Sequence, residues 1–271
     1  MTAPSFGNLV CAHTITDFAD TAFPSQASGR TIADMTDRDT GDRHLSRRIE
    51  AEALPAWRRI TEGEPRWAAA AAIVAVIALQ LALPQRLNLS SRYLLPGIEL
   101  ALLAMLVIAN PLRIDRASRP LRSASLTLIA VASLANAYAA VRLVTDIISG
   151  DHKVSAAALL ATGGAVYLTN IIIFGLWYWD LDRGGPATRA AGTRQYPDFL
   201  FPQMTTPDVS DPDWEPRFAD YLYVSFTNAT AFSPTDTMPL SRWAKLAMMI
   251  QSVIALATVA MVLARAINIL N

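Results

Sequence analysis

The residues whose types and spacing could do chemistry gather in one stretch, DYLYVSFTNATAFSPTDTMP, from Asp220 to Pro239. Asp220, Ser225, Asn228, Thr230 and Asp236 place two carboxylates, two hydroxyls and an amide along an aromatic segment and the Ser-Pro-Thr-Asp turn that breaks it. Such groups can replace part of the hydration shell of an ion or a small polar solute, which is the chemistry of a path through a membrane. Asp236 has a second reading. Between Ser233-Pro234-Thr235 and Pro239 its carboxylate could accept local backbone N–H groups, with Ser241 placed to cap the helix that follows.

Two further ionisable residues fall inside apolar segments, where a charge is costly unless it is paired or wet. Glu99 lies about 9 Å below Tyr93 along a helix, and Arg142 lies about 9 Å below Ile148. Adjacent antiparallel helices would bring them to one level as an intramembrane charge pair. The alternative is that Arg142 pairs with Asp146 one turn away and snorkels outward, while Glu99 faces a water-filled crevice. Asn136 and Asn170 read as interhelical hydrogen bonders.

Enzyme chemistry finds little footing. The three histidines, His13, His44 and His152, fall in a tail or a loop. There is no His-Glu-x-x-His, no Cys-x-x-Cys, no phosphate-binding glycine loop and no nucleophile elbow. The carboxylates Glu99, Asp180, Asp182, Asp220 and Asp236 are too scattered to propose as a dyad. The expectation is a non-enzymatic protein with no cofactor, no bound metal and no nucleic-acid partner. Cys11, the single cysteine, excludes an intramolecular disulfide.

These residues need elements to position them, and composition says which. Hydrophobic residues make up 52% of the 271, clustered near residues 67–83, 93–110, 123–148, 155–179 and 243–270. Each cluster is long enough, or nearly so, to cross a hydrocarbon core of about 30 Å. The expected fold is all-α, a polytopic transmembrane bundle of five long spans plus one short membrane-embedded helix. Residues 1–66 read as a largely disordered tail with an amphipathic helix or a solvated charged stretch near Arg43–Ile60, and Met35 offers a second translation start. Residues 67–179 read as four spans, 180–216 as a proline-rich loop, and 217–271 as short helix, turn and last span.

Arginines set the orientation. Arg47, Arg48, Arg58, Arg59 and Arg66 precede the first span, and Arg113, Arg116, Arg119 and Arg122 crowd the second connection, against Arg86 and Arg92 in the first connection and Lys153 in the third. Basic connections stay in the cytoplasm. The N-terminus is therefore expected inside, in a bacterial inner membrane, with the fourth span ending inside at Trp177, Tyr178 and Trp179 as an interfacial belt. Asp180, Asp182 and Arg183 read as a helix-terminal ion pair before a Gly-Gly-Pro stop. In the loop, Phe199, Leu200 and Phe201 are too apolar for a bare linker and should fold back onto the bundle or lie at the membrane surface.

Asp220, Tyr221, Leu222, Tyr223, Ser225, Phe226, Asp236, Ser241, Arg242, Lys245, Ala266 and Asn268 form a pattern that resembles the closing segment of a family of uncharacterised bacterial integral membrane proteins. That family brings no established activity. The same stretch is similar, without gaps, to the pore hairpin of tetrameric potassium channels, with Asp220, Leu222, Tyr223, Ser225, Phe226, Thr230, Asp236 and Pro239 in register. Ser233, Pro234 and Thr235 stand where those channels have Gly-Tyr-Gly, so the filter itself is absent.

The segment from Arg217 to Phe232 must either cross outward as a short span or re-enter from inside. Its sixteen residues cover about 24 Å. A short crossing that leaves both termini cytoplasmic is the expectation here. Ala157, Ala161 and Ala165 at four-residue spacing would allow close helix contact. Two functions fit: an oligomeric conduit for an ion or small solute, formed as a homo-oligomer, or a structural subunit that assembles with another membrane protein. The lipid bilayer is the partner common to both.

Overall fold

The computed structural model describes residues 55–89, 91–109, 114, 118–149, 155–230 and 236–270. They are mostly helical: α1 (Trp67–Ala82), α2 (Leu94–Ala109), α3 (Arg119–Ser149), α4 (Ala156–Leu181), short α5 (Pro186–Ala190) and α6 (Pro202–Thr205), then α7 (Phe218–Thr230) and α8 (Arg242–Leu270). The β-structure among them is one antiparallel pair of two-residue strands, β1 (Phe199–Leu200) and β2 (Met238–Pro239). The residues read as tail and helix before position 55 lie outside the described residues. Those from 55 to 66 are packed, with Ala56, Trp57 and Glu64 buried.

Three helices, α3, α4 and α8, are long and apolar enough to cross a membrane; α1 and α2 are apolar but shorter. At sixteen residues each, α1 and α2 measure about 24 Å. Their outer faces carry large apolar residues in the open, such as Leu100 on α2 and Val253 on α8. Such surface suits lipid rather than water.

Helix α4 is the axis of the bundle. Helix α8 runs antiparallel along it, with Gln251 at the level of Tyr178 and Val262 against Gly163. A Cβ on Gly163 would fall 2.7 Å from a Val262 methyl, so glycine sets how closely these helices approach. Gly175 plays the same part for α7, where a Cβ would meet the Leu222 backbone at 3.2 Å. Of the alanine stripe, Ala165 packs against the bundle, whereas Ala157 and Ala161 are exposed. Helix α3 is antiparallel to α4, with Ser125 beside Asp180 and Ser133 accepting from the Trp177 indole at 2.9 Å. Helix α1 meets α2 through Gln80 and Glu99.

Helix α7 departs from expectation. It starts where α4 ends, Trp179 and Phe218 packing edge to face at 5.9 Å between centroids. It then runs back along α4 until Tyr167 Oη donates to the Ala229 carbonyl at 3.1 Å. Tyr167 is about 16 Å from Tyr178 along the helix. Yet Met238 and Pro239 pair with Leu200 and Phe199, and Leu240 N donates to Asp198 O at 2.8 Å, at the end where α7 began. Both ends of the hairpin thus lie at one end of the bundle. A sixteen-residue aromatic segment fits either path by length, and the strand pairing across the loop brings the chain back to the end where α7 began.

Candidate functional site

The hairpin's polar residues divide into a sealed group and an open group. Ser225 is fully buried; its Oγ donates to the Ile171 carbonyl at 2.6 Å and accepts from Gln251 Nε2 at 2.7 Å. Gln251 Nε2 also donates to the Ser225 carbonyl at 2.9 Å. Its Oε1 accepts from Tyr178 Oη at 2.6 Å and from Asn228 Nδ2 at 2.8 Å. Asn228 Nδ2 reaches the Met248 carbonyl as well, at 3.0 Å. The amide of Gln251 therefore ties α4, α7 and α8 together at one level. The Gln251 amide and the Ser225 hydroxyl are fully used within the protein, so with the Asn228 Nδ2 they form a joint between the three helices.

The remaining predicted residues lie elsewhere. Asp220 accepts the Arg217 N–H at 2.8 Å, the carboxylate half of a capping box at the start of α7. Thr230 is exposed and turns its hydroxyl back to the Phe226 carbonyl at 2.8 Å. Asp236 is exposed beyond the hairpin turn. Ser241 Oγ accepts from Ala244 N at 3.4 Å at the start of α8.

Glu99 and Arg142 do not meet. Arg142 pairs with Asp146 at 3.7 Å, one turn along α3, and Asp146 also takes Arg86 at 3.3 Å. Glu99 is fully buried, with Oε1 accepting from Gln80 Nε2 at 3.0 Å and Oε2 without a hydrogen-bond partner among the described residues. They differ in depth as well as in rotation: Pro96 shares a cavity with Asn136 and Leu103 clusters with Leu128, which sets Glu99 well short of Arg142 along α3, and Glu99 faces α1 whereas the Arg142 side chain is 44% exposed. Asn136 and Asn170 are buried, and Asn136 Oδ1 and Asn170 Nδ2 have no partner among the described residues.

The largest buried polar assembly was missed in sequence. At the end of α4, Arg183, Gly184 and Gly185 all take positive φ, which folds the loop back over the bundle. Asp182 is fully buried. Its Oδ1 accepts from Asp198 N at 2.7 Å and Phe199 N at 3.3 Å, and its Oδ2 accepts from Tyr221 Oη at 2.6 Å. Asp198 reciprocates, accepting from Arg183 N at 2.9 Å and the Trp243 indole at 2.8 Å. The expected Asp182–Arg183 ion pair is therefore replaced. Asp182 fastens the loop, while the Arg183 guanidinium donates to the carbonyls of Trp57 and Arg194 and stacks on Trp57.

Arg189 Nη1 donates to the carbonyls of Trp179 at 2.6 Å and Asp182 at 3.0 Å, with its guanidinium over the Tyr221 ring. Glu64, just before α1, accepts from Phe218 N and the Trp179 indole at 2.6 Å each. Burial pushes the Glu64 carboxyl above the usual glutamate range, against those two hydrogen bonds and the charges of Arg189 and Arg217. Phe199 sits at the centre, its ring 5.0 Å from Tyr178, 5.7 Å from Trp243 and 6.2 Å from Tyr221. Tyr178 and Trp179, expected as an interfacial belt, are buried in this cap. The missed signal was the density of Asp, Arg and aromatic residues around a Gly-Gly turn, several of whose pairings are non-local.

Among the described residues no group of three or more His, Cys, Asp or Glu could hold a metal ion. No protein family, curated protein or solved structure matches the chain.

Proposed function

We propose that this protein is a non-enzymatic integral membrane protein of the bacterial inner membrane. It crosses five times, through α1, α2, α3, α4 and α8, and acts as an oligomer whose re-entrant hairpins face one another around a conduit for an ion or small polar solute. The observation that carries this reading is the return of the chain after α7 to the end at which α7 entered. Non-helical backbone at membrane depth is stable only when protein covers it or when it lines water. The face of α7 that includes Tyr223, Phe226 and Thr230 is exposed, so it is open to a neighbouring subunit.

The arrangement of helix, re-entrant helix and full span supports the same reading through its likeness to the pore hairpin of tetrameric channels. Orientation follows from arginine placement. The end holding the cap carries Arg58, Arg59, Arg66, Arg119, Arg122, Arg183, Arg189, Arg194, Arg217, Arg242 and Lys245, so it is cytoplasmic. The hairpin then opens toward the cytoplasm, and α8 ends on the outer side. Helices α1 and α2, at about 24 Å, cross by standing nearly upright or thinning the bilayer locally.

A second reading, an assembly subunit that conducts nothing, is favoured by the Gln251 joint, which occupies Gln251, Ser225 and Tyr178 in bonds within the protein. Flux measurements on protein reconstituted in proteoliposomes separate the two. The vesicles would be loaded in turn with potassium, sodium and a small neutral polyol. The conduit reading expects flux above protein-free vesicles for at least one probe, reduced by Thr230→Val. Flux at the protein-free level for every probe, from protein that cross-links as an oligomer through Thr230→Cys, would sink it in favour of the assembly subunit.

A further inference from the structure

A cavity of about 170 Å³ opens between α2, α3, the end of α4 and α5, away from the hairpin. Its polar lining includes Arg66, Arg119, Arg122, Ser125, Asp180 and Thr188, and apolar residues such as Leu106 and Leu121 form the wall toward the helices. Three guanidiniums on one concave surface are a concentration of positive charge that needs an anion. Asp180 offsets part of this charge, interacting with Arg122 beyond salt-bridge distance; among the described residues none of the three has a carboxylate within that distance, and the Nε of Arg66 is buried with no hydrogen-bond partner.

Asp180 makes the site more specific. It is 4% exposed; its Oδ1 accepts from Ser125 Oγ at 3.4 Å, and its Oδ2 has no partner among the described residues. A pocket built for a bare anion gains nothing from a buried carboxylate in its lining. The same carboxylate is useful if the ligand carries a hydrogen-bond donor beside its anionic group. Gly185 completes the site: its φ is +98° and a Cβ there would fall 2.6 Å from Arg122 Nη1, so only glycine lets that guanidinium lie against the turn.

From this lining we infer that the cavity holds the headgroup of a phosphodiester lipid bearing a hydroxyl or ammonium donor, with the phosphate on Arg66, Arg119 and Arg122 and the donor on Asp180 Oδ2. Basic cavities at the cytoplasmic ends of membrane helices suit anionic headgroups, and the apolar wall offers a path for the acyl chains. Guanidiniums match the geometry of phosphate oxygens. The inference needs the protein to sit in a bilayer but is independent of whether the hairpin conducts.

The test uses delipidated full-length protein in detergent. Intrinsic fluorescence reports occupancy, because Trp179 lines the cavity, and thermal stability is followed in parallel. The probes are short-chain phosphatidylglycerol, phosphatidylethanolamine, phosphatidylcholine, which lacks a donor, and inorganic phosphate. Wild-type protein is expected to bind the two donor-bearing lipids at least tenfold more tightly than phosphatidylcholine or phosphate. Loss of a charge-assisted contact in Arg122→Gln, or in Arg119→Gln on the exposed rim, should weaken phosphatidylglycerol about tenfold or more. Asp180→Asn should narrow the gap between phosphatidylglycerol and phosphatidylcholine while leaving binding dependent on the arginines. If inorganic phosphate binds as tightly as the lipids, a free anion is the ligand and the headgroup assignment is overturned. Equal affinity of wild type and an Arg119→Gln, Arg122→Gln double variant that still melts cooperatively would overturn the site itself.

Discussion

Replacing Gln251 with leucine should be among the most damaging single changes in the membrane-embedded half of the protein. The side chain is fully buried and makes four side-chain hydrogen bonds. Leucine is close in volume, so little of the effect comes from a cavity. The cost depends on which partners are left with nothing. Asn228 keeps the Met248 carbonyl, and Ser225 Oγ keeps the Ile171 carbonyl. Tyr178 Oη loses Gln251 Oε1, its partner at 2.6 Å, and stays buried.

One orphaned buried hydroxyl costs about 1–3 kcal/mol, and the other bonds, at about 0.6 kcal/mol each in a membrane protein, add about 1–2 more. A loss of about 2–5 kcal/mol follows, against about 1 kcal/mol for Ser225→Ala. The assay is reversible unfolding in mixed micelles or bicelles, with Tyr178→Phe as the second arm of a double-mutant cycle. Removing both partners leaves no stranded hydroxyl, so Gln251→Leu with Tyr178→Phe should be less harmful than the sum of the singles by about 1 kcal/mol or more. Strict additivity, or a Gln251→Leu protein as stable as wild type, would show that this joint does not hold α7 against α4 and α8.

Two more outcomes follow from particular contacts. Glu99→Gln and Arg142→Gln should be additive in a thermal-stability assay, because Glu99 meets Gln80 and Arg142 meets Asp146; recovery in the double variant would restore the paired arrangement. Burial raises the Glu64 carboxyl, so the folded protein takes up that proton at a higher pH than the unfolded chain. Stability referred to Glu64→Gln should therefore be greatest below the ordinary glutamate range and decline as pH rises through the raised value, and a flat or opposite difference would contradict that sign.

The sequence carried the helices well because each is a long apolar run, and α3, α4 and α8 fall close to their expected bounds. It did not carry the direction of α7. That depends on Met238 and Pro239 finding Phe199 and Leu200, a pairing of two residues with no periodic signature. Nor did it carry Gln251, one amide in an apolar helix whose importance lies in what faces it. Glu99 and Arg142 were matched by counting from the helix ends, but the offset between α2 and α3 and the rotation about each axis give them different partners. The cap was read as a helix stop because Asp182, Arg183 and Arg189 find their partners near Trp57, Asp198 and Tyr221, each brought close by the loop's own fold. Of the five hairpin residues, Ser225 and Asn228 share one cluster, while Asp220, Thr230 and Asp236 stand apart from it.

The cap also constrains the order in which the chain can be assembled. Glu64 and Phe218 are separated by 154 positions, and Tyr221 completes a bond with an aspartate made 39 residues earlier. Until residues 218–243 are made, Glu64 must wait without the Phe218 N–H and Asp182 without the Tyr221 hydroxyl. Waiting charges are tolerable in water and very costly in hydrocarbon. Their position at the end of the bundle lets them stay hydrated through insertion, and the late arrival of residues 218–243 then expels that water and closes the seal. A stalled nascent chain ending before Phe218 should accordingly leave this end accessible to a protease that the finished protein resists.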